Sequence, residues 1–304
     1  MNGLIGSLFV LGSVITMVSA NTAKKAFNKG CPLFFCFLCC LFADIVFLFS
    51  SGFKFDFNAK IITYSLMFAL CFSLSNVCTT FALKFGSLSI TGLVMSYSLI
   101  IPTFYGIIIL GENTSVFFYI GLILLFVSAF LINFKPKSRT PIAEEKNGDK
   151  VEKVKKVKNV RQTVKWIVFI ALAFIANGFC SVVQTAQQKA FNGNYKSEFM
   201  LIALTVASFS IFIISLFTEK RSIKAGGKKA IILGLICGIS TGLLNLFVMF
   251  SVNYLPSSLI FPLISGGNLL LTFIVAKILF KEKFEPLRYV GFAFSIVAVV
   301  LLNL

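Results

Sequence analysis

The chain alternates long apolar runs with short polar connections, a pattern that predicts an all-α integral membrane protein. A helix needs about 20 mostly apolar residues to cross the hydrocarbon core of a bilayer. By this rule the 304 residues predict ten transmembrane helices, spans 1 to 10, over Gly3–Ala23, Pro32–Ser51, Ile61–Leu83, Ser87–Leu110, Ser115–Phe134, Thr163–Thr185, Glu198–Phe217, Ala230–Tyr254, Ser257–Phe280 and Pro286–Leu302. Residues 135–162 contain no apolar run and are predicted to form a linker.

An internal repeat divides the chain into two halves. Residues 86–133 align without a gap to residues 256–303, at an offset of 170 positions. The matching pairs include Ser87 and Ser257, Leu93 and Leu263, Glu112 and Glu282, Tyr119 and Tyr289, Gly121 and Gly291, and Asn133 and Asn303. The ends of spans 1 and 6 also match, at an offset of 164, in Lys25–Asn28 and Lys189–Asn192. A repeat of this length indicates two copies of one unit, so the predicted units are residues 1–134 and 163–304.

The number of spans in each unit has a consequence for topology. Because five is an odd number, the second unit must cross the membrane in the opposite sense to the first. The predicted fold is therefore two inverted five-helix repeats, related by a pseudo-two-fold axis in the membrane plane. In such a fold, states that open to the two sides of the membrane are expected to have similar energies.

The charge distribution supports a membrane location and predicts an orientation. The chain is 58% hydrophobic and 13% charged, whereas soluble domains carry about 25% charged residues. Of the 28 Lys and Arg residues, 24 lie on the face of the linker if the predicted spans are followed. By the positive-inside rule, the basic linker is in the cytoplasm of a cell-membrane protein and both termini are outside.

The net charge of +17 is interpreted as a consequence of this topology and of contact with anionic lipids. A nucleic-acid partner is not expected, because the basic linker lacks aromatic residues for stacking on bases. The sequence has no His, no Gly-rich phosphate loop and no pair of acidic residues inside a predicted span. We therefore expect neither an enzyme nor a bound cofactor.

The cysteines are not predicted to bind a metal. Cys36, Cys39 and Cys40 have a spacing that resembles metal ligands, but they lie in an apolar helix. We interpret them, with the other five cysteines, as small hydrophobic residues. The first apolar run is as long as a spanning helix and has no basic segment before it, so a cleavable signal peptide is not predicted.

Each half ends with a helix, a turn that contains Glu, the pattern Tyr-x-Gly and a second helix. In the first half, Pro102, Leu110-Gly111-Glu112 and Gly121 resemble the pattern of the drug/metabolite transporter superfamily, EamA-type. The second half keeps Glu282 and Gly291 but has neither the Pro nor the Gly before the Glu. The resemblance implies a ten-helix transporter with a central cavity lined by spans 1–4 and 6–9.

Three features depart from that family pattern. Leu11-Gly12 stands where the family often has Trp-Gly, and the run after Pro32 lacks the Arg that the family often has in span 2. Any role of that Arg is therefore not carried over to this chain. The resemblance also implies that both termini are in the cytoplasm, the opposite of the orientation that the charges predict.

Polar residues in spans 3, 6 and 8 are candidates for the substrate site, because polar groups in lipid are expected to face a cavity or another helix. Asn76 in span 3 corresponds closely to Asn245 in span 8. In span 6, Asn177, Ser181 and Gln184 have the spacing of one helix face. We predict that these five residues line the cavity, with hydrogen bonds between helices as the alternative.

Spans 4 and 9 supply the other substrate candidates. Tyr97 and Asn268 are the strongest predictions for contact with the substrate, and Ser98 accompanies them. Pro102 and the Gly266-Gly267 pair predict breaks in these two helices, which are tolerated beside a cavity. Close packing of helices is the alternative explanation for the two glycines.

Three acidic residues are interpreted separately. Asp44 is the only acid deep within a predicted span. It is either a coupling carboxylate, for a proton or a cationic substrate, or a hydrogen-bond partner near a helix end. Glu112 and Glu282 are interpreted as caps of turns or partners of Lys residues, with a gating role as the alternative.

These features predict a secondary transporter or exchanger that moves a small polar, amino-acid-like metabolite by alternating access. A nucleotide-sugar-type exchanger is less favoured, because Lys277 is the only candidate to bind an anion inside a span. The alternative from another class is a membrane scaffold or accessory subunit that transports nothing. Spans 5 and 10 are almost uniformly apolar, so they are predicted to be peripheral and to offer a contact for a homodimer.

Overall fold

The computed structural model describes residues 2–27, 31–53, 58–85, 88–133, 149–219, 223–278 and 285–302. Every regular element in these ranges is helical, and ten helices, α1 to α10, follow the ten predicted spans. Nine of them are α1 Asn2–Ala26, α2 Pro32–Ser50, α3 Ala59–Phe85, α5 Val116–Asn133, α6 Asp149–Ala190, α7 Lys196–Thr218, α8 Ile223–Ser251, α9 Ser257–Ile278 and α10 Pro286–Leu302. The tenth, α4, consists of α4a (Leu88–Tyr97), α4b (Ile100–Phe104) and a π-helical turn (Tyr105–Ile109).

Seven of the described helices are long and apolar enough to cross a membrane, namely α1, α2, α3, α6, α7, α8 and α9. The apolar parts of α4, α5 and α10 are shorter, at Val94–Ile109, Val116–Ile132 and Pro286–Leu301. The predicted all-α class with several membrane-spanning helices is therefore confirmed. The apolar runs form helices because hydrocarbon offers no hydrogen bonds, so each backbone group must be satisfied within its own segment.

Two helix starts differ from the sequence prediction. Helix α6 begins at Asp149, inside the predicted linker, and not at Thr163. The linker was inferred from a lack of apolar residues, but Lys and Glu have a high intrinsic helix propensity. Helix α8 begins at Ile223, before the predicted Ala230, and contains one non-helical residue, Gly227, with φ 54°.

Eight helices form a closed circuit of neighbours. Helix α1 packs on α8 and α9, α8 packs on α2, and α2 packs on α7. Helix α7 then packs on α3, α3 on α6, and α6 on both parts of α4. Segment α4b contacts α9 and closes the circuit, while α5 and α10 pack against each other beside α4 and α9.

Helices α5 and α10 approach closely through a glycine on each. A Cβ atom on Gly121 would lie 3.1 Å from the Ala298 carbonyl oxygen, and one on Gly291 would lie 3.0 Å from the Ile132 nitrogen. The Ser128 hydroxyl donates to the Gly291 carbonyl at 2.7 Å. The glycines that recur in the two copies of the repeat are therefore used for packing within the chain.

A stripe of glycines on α8 holds α2 at a similarly short distance. Cβ atoms on Gly234 and Gly238 would lie 3.2 Å from Leu38 Cβ and 2.5 Å from Phe42 Cβ. Gly242 repeats the contact one turn later, against Val46. Small residues spaced by four allow two membrane helices to pack backbone to backbone, and α2 is thereby fixed on α8.

Candidate transport site

Helix α4 is interrupted near its middle. Ser98 and Leu99 lie in a turn between α4a and α4b, and Ser98 is fully buried. Pro102 has no N–H group to donate to the Ser98 carbonyl, which the Ile101 N–H reaches at 3.2 Å instead. The predicted interruption of span 4 therefore lies just before Pro102, at the position of Ser98.

Helix α9 has no such interruption. It runs as a continuous α-helix through Gly266 and Gly267, where a break was predicted. The two glycines instead admit neighbouring side chains, because a Cβ on Gly267 would lie 2.7 Å from Val14 and one on Gly266 would lie 2.7 Å from Val299. The two glycines therefore allow close helix packing, which was the alternative explanation for this pair.

The predicted polar face of α6 reaches two other helices. The Asn177 side-chain amide donates to the Ser98 hydroxyl at 2.6 Å, so it contacts the interruption of α4. The buried Gln184 side chain donates to the Asn245 carbonyl of α8 at 3.1 Å. Ser181 lies between them and is half-buried.

Asn268 forms a second polar contact, between α9 and α1. The Asn21 side-chain amide donates to Asn268 Oδ1 at 3.3 Å, and the Thr272 hydroxyl donates to the same oxygen at 3.2 Å. Asn21 was not among the predicted site residues. Its signal in the sequence was that it is the one amide side chain in the mostly apolar span 1.

Asn76 and Asn245 have the same conformation in the two halves. Each side-chain amide donates at 2.8 Å to a carbonyl of its own helix, Asn76 to Phe72 and Asn245 to Thr241. Both residues are half-buried. In these described bonds, each amide is therefore used within its own helix.

Tyr97 is turned toward α5. Its hydroxyl donates to the Phe126 carbonyl at 2.7 Å, and its ring meets the Phe126 ring edge-on with centroids 4.8 Å apart. The ring borders a cleft between α4, α5 and α9 that also contains Thr103 and Ser265, with a volume of about 20 Å³. This volume holds about one water molecule, so the cleft is too small for a metabolite.

Asp44 lies where α2 packs on α7. Its Oδ2 accepts a hydrogen bond from the Thr205 hydroxyl at 3.2 Å. Its Oδ1 is buried, and no donor reaches it from the described part of the chain. Asp44 is therefore a carboxyl group with one buried oxygen that no described donor satisfies.

Two further carboxylates cap helices. Glu112 Oε1 and Oε2 accept the N–H groups of Ser257 and Ser258, at 2.8 and 2.7 Å, at the start of α9. Glu219 does the same for Leu33 and Phe34 at the start of α2, at 3.1 and 3.0 Å. Glu112 was predicted to cap a turn. It does cap backbone N–H groups, but these belong to the start of α9, far away in the sequence.

Glu219 was missed because span 7 was predicted to end at Phe217, before this residue. The signal that could have found it is a single acid between an apolar run and the basic pair Lys220-Arg221. Glu282, the repeat partner of Glu112, lies outside the described residues, so the interpretation of that residue stays a prediction.

Comparison with known proteins adds a family assignment for the second half of the chain. Residues 164–304 match the model of the EamA-like transporter family. This half of the chain belongs to that family. The EamA-like family is part of the drug/metabolite transporter superfamily, so the resemblance noted in the sequence is confirmed. With its apolar helices, the chain is a multi-pass membrane protein whose residues 164–304 match a transporter family.

The matched residues contain α6 from residue 164 onward and α7 to α10, and with them Asn177, Ser181, Gln184, Asn245 and Asn268. A solved crystal structure, described only as that of a protein, is similar in fold over both halves, with a TM-score of 0.76 and 11% identity. The alignment covers 98% of this chain and 96% of that one. At this identity the likeness concerns the fold alone. No curated protein matches the chain in sequence.

Proposed function

We propose that the protein is a secondary transporter or exchanger that moves a small polar organic molecule, neutral or zwitterionic, by alternating access. The observation that carries this proposal is a pair of polar contacts between the halves, whose acceptors lie at the same position in the repeat although their donors do not. Ser98 and Asn268 occupy the same position in the repeat, 170 residues apart. Each accepts a hydrogen bond from an Asn side chain of the other half, Asn177 and Asn21 respectively.

The two units of this transporter are residues 1–134 and 163–304, joined by the linker at 135–162. Matched helix packing supports their arrangement as an inverted repeat. The packing of α3 on α6 has its counterpart in α8 on α1, and that of α2 on α8 has its counterpart in α7 on α3. The packing of α1 on α9 likewise corresponds to that of α6 on α4. Two such halves exchange roles when the protein opens to one side or the other.

Neutral amides suit a site that must bind and release its ligand. An Asn side chain has two donors and an acceptor, so it can bind the ammonium and the carboxylate of an amino acid. Hydrogen bonds between neutral groups have a net value of about 0.5–1.5 kcal/mol, so a substrate can replace the contacts between the halves without a large barrier. We therefore place the substrate among Asn76, Asn177, Ser181, Gln184, Asn245 and Asn268, beside Ser98.

The environment of Lys277 disfavours an anionic substrate and hence a nucleotide-sugar-type exchanger. Lys277 is exposed, and its ammonium lies 4.9 Å from the centre of the Tyr289 ring on α10. A phosphate group needs cations that are held inside the site. Tyr97 remains a weaker substrate candidate, because its hydroxyl is already bonded to α5.

Asp44 is proposed as the coupling group, with the proton as the coupling ion. Its Oδ1, which no donor from the described residues reaches, supports this role, because a proton bound there would remove a buried charge. We also place the protein in the cell membrane with the linker in the cytoplasm, on the distribution of Lys and Arg. The exposed apolar faces of α5 and α10 can contact lipid or a second copy of the chain.

Uptake into proteoliposomes tests the proposal. A panel of labelled amino acids and related metabolites is compared for the natural protein, Asn177→Ala and Asn268→Ala. We expect each substitution to lower uptake by about tenfold, which corresponds to one or two lost hydrogen bonds. Thr63→Ala is the control, because this exposed hydroxyl bonds only to its own helix.

Unchanged uptake in both Asn variants would show that the substrate binds elsewhere. If the natural protein moves no member of the panel faster than empty liposomes do, the scaffold or accessory-subunit alternative is favoured. The polar contacts between the halves favour a transporter over that alternative, because a scaffold does not require such contacts.

A further inference from the structure

The second part of α4 is bounded by interruptions of the helix at both ends. At its start, the turn at Ser98-Leu99 separates α4b from α4a. At its end, the backbone widens into the π-helical turn Tyr105–Ile109 and then reaches Gly111, which has φ +67°. A positive φ is easily adopted by Gly and ends the helix there. We call α4b and the π-helical turn together segment 100–109. This segment therefore has a bending point on each side, at Ser98-Leu99 and at Gly111.

Glu112 fixes the far end of this segment to α9. Its two carboxylate oxygens bond the N–H groups of Ser257 and Ser258, which as the first residues of α9 have no acceptor within the helix. The negative carboxylate also lies at the positive end of the helix dipole. Gly106 packs directly on this joint, since a Cβ there would lie 2.5 Å from Glu112 Oε2 and 2.8 Å from Ser258 N.

This joint lies at one end of the helical bundle. Gly6, near the start of α1, packs on Leu255, which lies two residues before the start of α9. The start of α1, the start of α9 and Glu112 are therefore close together. We call this the Glu112 end of the bundle.

Glu219 forms a chemically equivalent joint at the opposite end. It caps the start of α2, where Phe35 stacks on Phe27, the residue that follows α1, with ring centroids 4.3 Å apart. Unlike Glu112, Glu219 follows an uninterrupted helix, α7, and is only 4% exposed. The helix that it caps is also held along its length by the glycine stripe of α8. Among the described residues, the Glu219 joint thus connects the end of an uninterrupted helix, α7, to the start of α2.

We propose that Glu112 is a conformational latch, which holds segment 100–109 against the start of α9 while the Glu112 end is closed and releases it when that end opens. This inference rests on the transport function proposed above. The structure has the latch engaged. The segment pivots at Ser98-Leu99, where Asn177 binds the Ser98 hydroxyl, so a substrate that competes for Asn177 acts directly on the pivot. Glu219 is a fixed cap.

The first test measures access to the latch and needs no knowledge of the substrate. In a background without the eight native cysteines, Ser257→Cys introduces a thiol beneath Glu112. Ser257 is fully buried and its hydroxyl has no hydrogen-bond partner in the described part of the chain, so the change removes no described contact of that hydroxyl. The rate at which a membrane-impermeant maleimide modifies S257C then reports opening of the Glu112 end.

Addition of Glu112→Gln should raise this labelling rate about tenfold, because a neutral amide accepts the two N–H groups less strongly than a carboxylate does. Glu219→Gln is the matched control, with the same chemistry at the other end, and should leave labelling of S257C unchanged. An unchanged rate in E112Q, or an equal rise in E219Q, would refute the latch.

The second test locks the joint. The pair E112C and S257C is crosslinked with a short bifunctional methanethiosulfonate reagent, and metabolite uptake is measured before crosslinking, after it and after reduction. We expect loss of uptake on crosslinking and recovery on reduction. The control pair E219C and L33C should retain uptake when crosslinked, because that joint stays closed throughout the cycle.

Retained uptake in the crosslinked E112C/S257C pair contradicts the latch, as does loss of uptake in both crosslinked pairs. If the cysteine-free protein without either introduced pair shows no uptake, that result contradicts the transport function instead. In that case the labelling rates of S257C still decide whether Glu112 controls access to this end of the bundle.

Discussion

The close packing of α2 on α8 leads to a quantitative prediction for two glycines on one helix face. In Gly238→Ala, the new methyl group would lie 2.5 Å from Phe42 Cβ and 2.6 Å from the Cys39 carbonyl oxygen. Neither atom is at the end of a flexible side chain, so the helices must separate. Overpacking of this kind costs about 1–3 kcal/mol, and the better helix propensity of Ala returns about 1 kcal/mol. We therefore expect a net loss of up to about 2 kcal/mol.

Gly234→Ala is the matched control, one turn earlier on the same face. Its methyl group would lie 3.2 Å from Leu38 Cβ, a contact that a shift of a few tenths of an ångström relieves. The gain in helix propensity of about 1 kcal/mol then offsets the strain. We expect the stability of this variant to equal or slightly exceed that of the natural protein.

The native cysteines provide the assay. Six of the eight are buried in the structure, so a maleimide dye that fluoresces on reaction with thiols follows thermal unfolding in detergent. The midpoint should fall by several degrees for Gly238→Ala and stay unchanged or rise for Gly234→Ala. Equal midpoints for the two variants would show that α2 and α8 are not in the described contact, and the view of α2 as a fixed element would fail with it.

Three other predictions concern single groups. Glu219→Gln should lower the same unfolding midpoint, because two N–H groups at the start of α2 lose a charged acceptor, while Glu219→Asp should retain part of the stability. Asp44→Asn should abolish substrate accumulation driven by a proton gradient but permit exchange of labelled for unlabelled substrate, as measured in proteoliposomes; retained accumulation would exclude Asp44 as the coupling group. Gly121→Leu should force α5 from α10 at Ala298 and reduce the yield of folded protein in size-exclusion chromatography, whereas Ile123→Leu, on the exposed face of α5, should not.

The fold class could be predicted from the sequence because the lipid environment leaves few alternatives. Apolar runs of sufficient length become helices in a medium without hydrogen-bond partners. The start of α6 at Asp149 could not be predicted by the same rule, since a charged helix outside the membrane has no apolar signature. The continuity of α9 through Gly266-Gly267 was also not evident, because helix propensity is readily overridden by packing, here against Val14 and Val299.

The polar residues of the candidate site could be selected from the sequence, but their partners could not. Asn177 and Asn268 stand out because amides are rare in lipid-facing segments. Their contacts with Ser98 and Asn21 connect residues 79 and 247 positions apart, and such pairings depend on how the helices assemble. Tyr97 illustrates the limit, because its place in span 4 gave no indication that it faces α5.

The position of a bound substrate is the most direct test of the account. A thermal-shift screen of metabolites on the purified protein first identifies a solute that stabilises the folded state. An experimental structure with that solute should then show its density between α1, α4, α6 and α9, in contact with Asn177 and Asn268 and beside Ser98. Density for the solute on the lipid-facing surface of α5 and α10, or in any position that touches only one half of the chain, would contradict the proposed site between the halves.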